Sequence, residues 1–199
     1  MNAYTLHIRL QSYWHSGTGH GLGAAVDAAT HRDRDGLPTL PGRHIKGLLR
    51  DALEQAMEWR WDGHADGVLL RSLFGHRTES ARAEQVPTSG VLRVSDARLP
   101  NVLCAWLGQG DRHAQRNALF RVLQSTAMND NTGSAQDGSL RGIEVVVPLD
   151  LQALIEPLPS VMPPADWADR LREVLPLIPA VGGHRTRGLG RALLTLEAA

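Results

Sequence analysis

An α+β fold on the split βαβ plan, the ferredoxin-like or RRM-like arrangement with long insertions, is predicted by three observations. Residues 4–11 alternate, with Tyr4, Leu6, Ile8 and Leu10 on one face and Thr5, His7, Arg9 and Gln11 on the other, the period of a half-buried strand. From Arg43 onward, Ile45, Leu48, Leu49, Ala52, Leu53, Ala56 and Met57 recur at spacings of three and four, an amphipathic helix behind a Pro-Gly start signal. Later segments continue the series to strand, helix, strand, strand, helix, strand.

Between the first strand and the first helix lies WHSGTGHGLGAAVDAATHRDRDGLPTLPG, whose glycines prevent regular structure and permit close backbone approach. A loop of this length in a compact domain is expected to be either functional or disordered. Gly90 to Leu99 and Ile143 to Leu151 both read as strands able to pair, the second with Ile143, Val145, Val147, Leu149 and Leu151 on one face. Residues 101–140 are the least legible stretch: ALFRVLQ suits strand or helix, and NDNTGSAQDGS is rich in turn formers. Pro163 and Pro164 open a second helix with Trp167, Leu171, Val174, Leu175 and Ile178 as its stripe, and Pro176 and Pro179 end it. The loop GGHRTRGLG follows, and Arg191 to Glu197 forms the last strand.

With 199 residues, 42% apolar and 21% charged, the chain is expected to be one globular domain over 1–199. The single cysteine, Cys104, excludes an internal disulfide framework and a Cys-rich zinc site. No stretch approaches the roughly 20 apolar residues of a spanning helix, so no membrane association and a cytoplasmic location are expected. Charges balance at 21 basic and 21 acidic, yet Lys46 is the sole lysine. A local basic groove needs no global excess.

Arg43, Lys46 and Arg50 share one stripe at the start of the first helix, where the macrodipole is already positive and like charges repel. A bound phosphate would reverse the sign of that cost; otherwise Asp33, Asp35 or Glu54 neutralise the stripe, Arg50 and Glu54 being spaced i, i+4. Arg185 and Arg187 sit in the second glycine loop, which reads either as a phosphate-cradling nest of N–H groups or as a flexible connection with two solvated arginines. Asp27 lies among small residues with no helix to cap and no adjacent cation, so it is a candidate site acid or a surface loop aspartate. The nine histidines form no spacing with metal specificity, and most are expected to be solvated or capping. No nucleophile elbow, Walker loop or catalytic cysteine context is present. Stacking aromatics of the RRM kind are missing too, so nucleic acid would be held through phosphates and loop shape, largely independent of sequence.

Four segments in order, WHSGTG with GLGAAVDAATHRD, LPTLPGRHIKGLLR, LFG at Leu73 to Gly75 with SDARL at Ser95 to Leu99, and GGHRTRGLGRALL, make the chain resemble the RAMP superfamily of CRISPR-associated proteins. It is most similar to the backbone subunit of type III effector complexes. The resemblance implies a RAMP domain that stacks on copies of itself and on other CRISPR effector subunits along a guide RNA (crRNA), with complementary target RNA paired to the guide. It places RNA binding on His15, Ser16, Gly17, Arg43, Lys46, Arg50, Gly182, Gly183, Arg185, Arg187, Gly188 and Gly190, and a thumb-like insertion at about 110–142. Where the family has two small hydroxyl residues before the lysine, this chain has Arg43 and His44, and Asn131 stands near the thumb tip where an arginine is common.

By the same resemblance Asp27 is the catalytic and metal-binding residue, acting with a divalent ion, Mg2+, in attack of a ribose 2′-hydroxyl on its own phosphate within the target RNA. The alternatives are a non-catalytic RNA-binding scaffold or capping subunit of the same kind of complex, and a metal-independent guide-processing RAMP endoribonuclease using His15 or His31.

Overall fold

The computed structural model describes residues 3–23, 26–64, 67–76, 89–159 and 162–199. Its elements are β1 (Tyr4–Leu10), α1 (Gly42–Glu58), α2 (Val68–Phe74), β2 (Leu92–Val94), α3 (Asn101–Leu107), α4 (His113–Asn117), β3 (Phe120–Ser125), β4 (Arg141–Val146), β5 (Asp150–Pro157), α5 (Trp167–Val174) and β6 (Ala192–Ala198). The alternating β1 is central: it pairs antiparallel with β5 on one side and β6 on the other, and β2 adds beyond β5. The order β2-β5-β1-β6 is the ferredoxin-like sheet that the strand and helix order predicts.

One face of this sheet carries Leu6, Ile8, Leu151 and Ile155, all without solvent exposure, and α1 and α5 pack side by side over the same core. α1 buries Ile45, Leu48, Leu49, Ala52, Leu53 and Ala56, the stripe read from its spacing. Each leucine or isoleucine so buried contributes roughly 1.5–3 kcal/mol. Tyr4 meets Trp167 edge-on at 5.1 Å, tying β1 to the first turn of α5. The α-helix stops at Val174 and a 3-10 turn, Leu175–Leu177, accommodates Pro176.

The opposite face is polar. Across neighbouring strands Arg9 meets Asp150 at 3.7 Å, Arg93 meets Glu156 at 3.7 Å and His7 meets Glu197 at 3.6 Å. No Phe, Tyr or Trp side chain stands on this face among Thr5, His7, Arg9, Gln152 and Thr195, so the sheet lacks the paired large aromatics on which an RRM stacks bases.

The stretch Ile143 to Leu151 is two strands rather than one. β4 ends at Val146, and after Pro148 the chain enters the main sheet as β5, whose residues 155–157, not 143–151, pair with β2. β5 buries alternate residues, whereas β4 buries Glu144, Val145 and Val146 in succession between β3 and the first glycine loop, so the apolar alternation across 143–151 does not reflect one continuous strand face. β4 pairs with β3 in a separate two-stranded ribbon, from Phe120 opposite Val146 to Ser125 opposite Arg141. ALFRVLQ is therefore a strand from Phe120, while 101–117 holds α3 and α4, which have no long apolar stripe in sequence.

The ribbon docks on the first glycine loop. Trp14 and Val146 exchange main-chain hydrogen bonds at 3.1 and 2.8 Å, and residues 27–28 run alongside β4. Ala24 and Ala25 of the GLGAAVD motif lie outside the described residues. Among the described residues no helix is long and apolar enough to cross a membrane.

Candidate nucleic-acid interface

Two concavities collect most of the candidate residues. The first, of about 240 Å3, is lined by Ser16, Gly17, His31, Pro41, Arg43, His44, Gly182 and Gly183. It thus brings both glycine loops to the start of α1. Main-chain bonds hold the arrangement: Gly183 N–H donates to His15 O at 2.7 Å, His31 N–H to Ser16 O at 2.7 Å, and Gly190 N–H to Tyr13 O at 2.7 Å. Gly182 N–H donates to His44 Nε2 at 2.9 Å, so that nitrogen must be unprotonated. Burial holds His44 below its ordinary pKa, the Arg185 guanidinium lowers it further, and Asp51 partly opposes both.

The basic stripe of α1 is divided among three partners. Arg43 is exposed and lines the cleft. Lys46 is half-buried and donates from Nζ to Leu92 O on β2 at 2.6 Å; burial, reinforced by Arg50, pushes its ammonium below the usual lysine value. Arg50 Nε donates to Glu54 Oε1 at 2.8 Å, the i, i+4 pair that the spacing allowed. The positive end of α1 meets a carboxylate other than Asp33, Asp35 or Glu54: Gly42 N–H donates to Asp96 Oδ1 at 2.8 Å. Helix and β2 approach so closely here that a Cβ on Gly42 would lie 2.3 Å from Val94 O. Asp96 belongs to the SDARL segment, but nothing in its spacing relates it to a helix more than fifty residues earlier.

The second concavity, of about 450 Å3, is lined by Asp27, Arg141, Ile143, His184, Arg187 and Leu189, with Leu123 to Ser125 of β3 beside them. Asp27 is exposed, and its Oδ2 accepts from Gly142 N–H at 2.7 Å. The cations that sequence proximity did not supply come from β4 and the second glycine loop. In that loop His184 (φ 56°) and Gly188 (φ 83°) take the left-handed conformation and bracket a 3-10 turn, Arg185–Arg187. The turn splits the two arginines: Arg187 borders the Asp27 cavity, and Arg185 borders a groove with Asp51, Glu54 and Glu58 of α1.

Two histidines depart from the solvated or capping role expected for most of the nine. His15 is 4% exposed, its Nδ1 2.7 Å from Glu144 O, and His64 is 3% exposed between Asp62 O and Arg170 O. Glu144 itself is buried, bonding Arg32 Nη2 at 2.6 Å and Thr30 N–H at 3.0 Å, while the Arg32 guanidinium sits 3.5 Å over the Phe120 ring. The sequence signal for Glu144 was one acid inside an apolar run.

Among the described residues no group of three or more His, Cys, Asp or Glu side chains is placed to hold a metal. Asp27 offers one carboxylate with one oxygen already engaged by Gly142 N–H. That donor set does not fit an ion held by the protein alone; it fits a hydrated divalent ion shared with phosphate oxygens.

A comparison with curated protein sequences returned no match. Among solved structures, a chain of a type III-B Cmr-beta cryo-EM structure in the apo state superposes with a TM-score of 0.69 at 12% identity, covering 98% of this chain and 97% of the other. A chain of type III-B Cmr-beta bound to cognate target RNA gives 0.70 at 10% identity with the same coverage. At such identities the likeness establishes the fold. The RAMP superfamily model, however, matches residues 7–193, from within β1 to the start of β6 and taking in both glycine loops and α1, and the chain belongs to the RAMP superfamily.

Proposed function

We propose that this chain is a guide-RNA-binding backbone subunit of a type III CRISPR effector, stacking on copies of itself and on other effector subunits, and that it cleaves the complementary target RNA at Asp27. The observation that carries the binding half is the cleft in which both glycine loops converge on the first turn of α1 with Arg43 exposed at its edge. Loop backbone and a guanidinium suit a phosphate chain read without regard to base. The ribbon of β3 and β4, with its exposed tip at 126–140, serves as the thumb.

For cleavage, the Asp27 cavity pairs a carboxylate with Arg141 and Arg187. A target nucleotide entering it would have its 2′-hydroxyl attack the adjacent phosphorus as the 5′-oxygen leaves, giving a 2′,3′-cyclic phosphate. The free Asp27 oxygen accepts the hydroxyl proton, solvent water protonates the departing 5′-oxygen, and the two guanidinium groups offset charge gathering on the phosphate. A divalent ion, Mg2+, shared between Asp27 and the phosphate would add Lewis-acid stabilisation.

The reading favoured by the lone carboxylate is a non-catalytic scaffold in which Asp27 only pins its loop to Gly142. Cleavage of guide-matched RNA by the assembled complex in Mg2+ separates the two. Loss of cleavage in an Asp27→Ala complex that still loads guide supports the enzyme, and cleavage at the unaltered rate leaves the scaffold.

A further inference from the structure

We infer that the buried Glu144–Arg32 pair is a positioning device that sets the register of the Asp27 strand against β4; its functional readout rests on the cleavage reading above. Residues 27–30 form a third, irregular strand on the β3–β4 ribbon. Asp27 N–H donates to Gly142 O at 2.8 Å, Gly142 N–H returns to Asp27 Oδ2 at 2.7 Å, and Glu144 N–H donates to Ala28 O at 2.9 Å. This segment, VDAAT, has only small residues between Asp27 and Thr30, and little apolar patterning to choose one register over the next. A slip of one residue would turn every side chain to the opposite face and remove the Asp27 carboxylate from its cavity.

Glu144 prevents the slip with bonds no neighbouring register reproduces. Oε2 accepts from Thr30 N–H at 3.0 Å, and Oε1 takes Arg32 Nη2 at 2.6 Å. The backbone O of Glu144 accepts from Thr30 Oγ1 at 2.9 Å and lies 2.7 Å from His15 Nδ1. Arg32 is held in turn by the Phe120 ring across the ribbon. The Glu144 side chain is 7% exposed and that of Arg32 34%, so the pair is largely withdrawn from water. A buried ion pair adds little net stability over an apolar pair of similar volume, but it discriminates strongly among alternative alignments.

The test is the paired variant Arg32→Met/Glu144→Met, alongside Glu144→Gln, in the complex assembled with guide RNA and partner subunits. Guide loading of the double variant is expected to stay near that of the unaltered chain, and its melting temperature to fall by a few degrees because the buried Thr30 N–H loses its acceptor. The turnover of target is expected to fall by at least about 10²-fold with KM for target unchanged, since displacing a catalytic group by even about 1 Å costs that much and a slipped register removes the Asp27 carboxylate from its cavity. Amide hydrogen exchange is expected to accelerate at Gly142 and Thr30 in the double variant and at Gly142 in Glu144→Gln, a readout independent of cleavage. Unaltered turnover with unaltered exchange in either variant overturns the inference. Should Asp27→Ala cleave normally, the catalytic reading falls, and exchange at Gly142 and Thr30 still decides whether Glu144 sets the register. If the double variant does not assemble, Glu144→Gln, which keeps an acceptor for Thr30 N–H, supplies both measurements.

Discussion

The main-chain N–H of Gly182 donates to Nε2 of His44 across 2.9 Å, joining the second glycine loop to the first turn of α1. Protonating His44 deletes that acceptor, and burial with the nearby Arg185 already disfavours the charged form. A histidine whose folded pKa lies below its unfolded value of 6.5 lends stability that is fully present above that value and is lost as pH falls through the folded pKa. Melting temperature is therefore expected to drop as pH falls below 6.5. His44→Gln, whose amide oxygen can accept from Gly182 N–H, should flatten that slope, and an unchanged slope in the variant would show that other groups carry it.

Arg43 and Arg50 lie on the same helix but are expected to differ in RNA binding. Arg43→Ala should weaken binding of unrelated guide sequences alike and lower the salt slope by roughly 0.7 to 1, the loss of about one phosphate contact. Arg50 is engaged by Glu54, so Arg50→Ala should leave the slope in place. Binding titrations across a salt series decide it, and equal slopes for the two variants would contradict the division seen at the cleft.

Glycines in the second loop are not equivalent. A Cβ on Gly190 (φ 75°) would lie 1.8 Å from Val181 O, whereas one on Gly188 (φ 83°) meets nothing within 4 Å. Gly188→Ala is expected to cost about 1–2 kcal/mol for its left-handed backbone. Gly190→Ala should cost at least about 1–3 kcal/mol more from overpacking. Denaturant unfolding measures both.

Asp27 is exposed and its carboxylate accepts from the main-chain N–H of Gly142, so Asp27→Asn should keep the fold while abolishing target cleavage. The amide oxygen still accepts from Gly142 N–H, and a melting temperature within a few degrees of the unaltered chain is expected. A large drop would mean that the carboxylate serves the loop rather than RNA.

The order of strands and helices was legible because β1, α1 and β6 each carry an uninterrupted apolar period, and that period is set by burial of one face. The short α2, α3 and α4 were missed because none is long enough to complete a stripe of its own. In the α1 cluster of Arg43, Lys46 and Arg50, the Arg50–Glu54 pair was legible from its i, i+4 spacing, but the bonds of Lys46 to Leu92 O and of Gly42 to Asp96 were not, since they join segments about fifty residues apart.

By itself the sequence determined the ferredoxin-like plan, the two glycine loops, the unusual lone lysine and the family, all properties of local period and motif order. Only the tertiary structure decided that 143–151 divides between two sheets, that both loops meet at one helix end, and that Asp27 shares a cavity with Arg141 and Arg187. Those outcomes depend on pairing between segments from about twenty residues apart, in the β3–β4 ribbon, to well over a hundred, between β1 and β5 and between the two glycine loops. Such pairing is chosen by how backbone hydrogen bonds and buried charges such as Glu144 are satisfied together, and no local period records it.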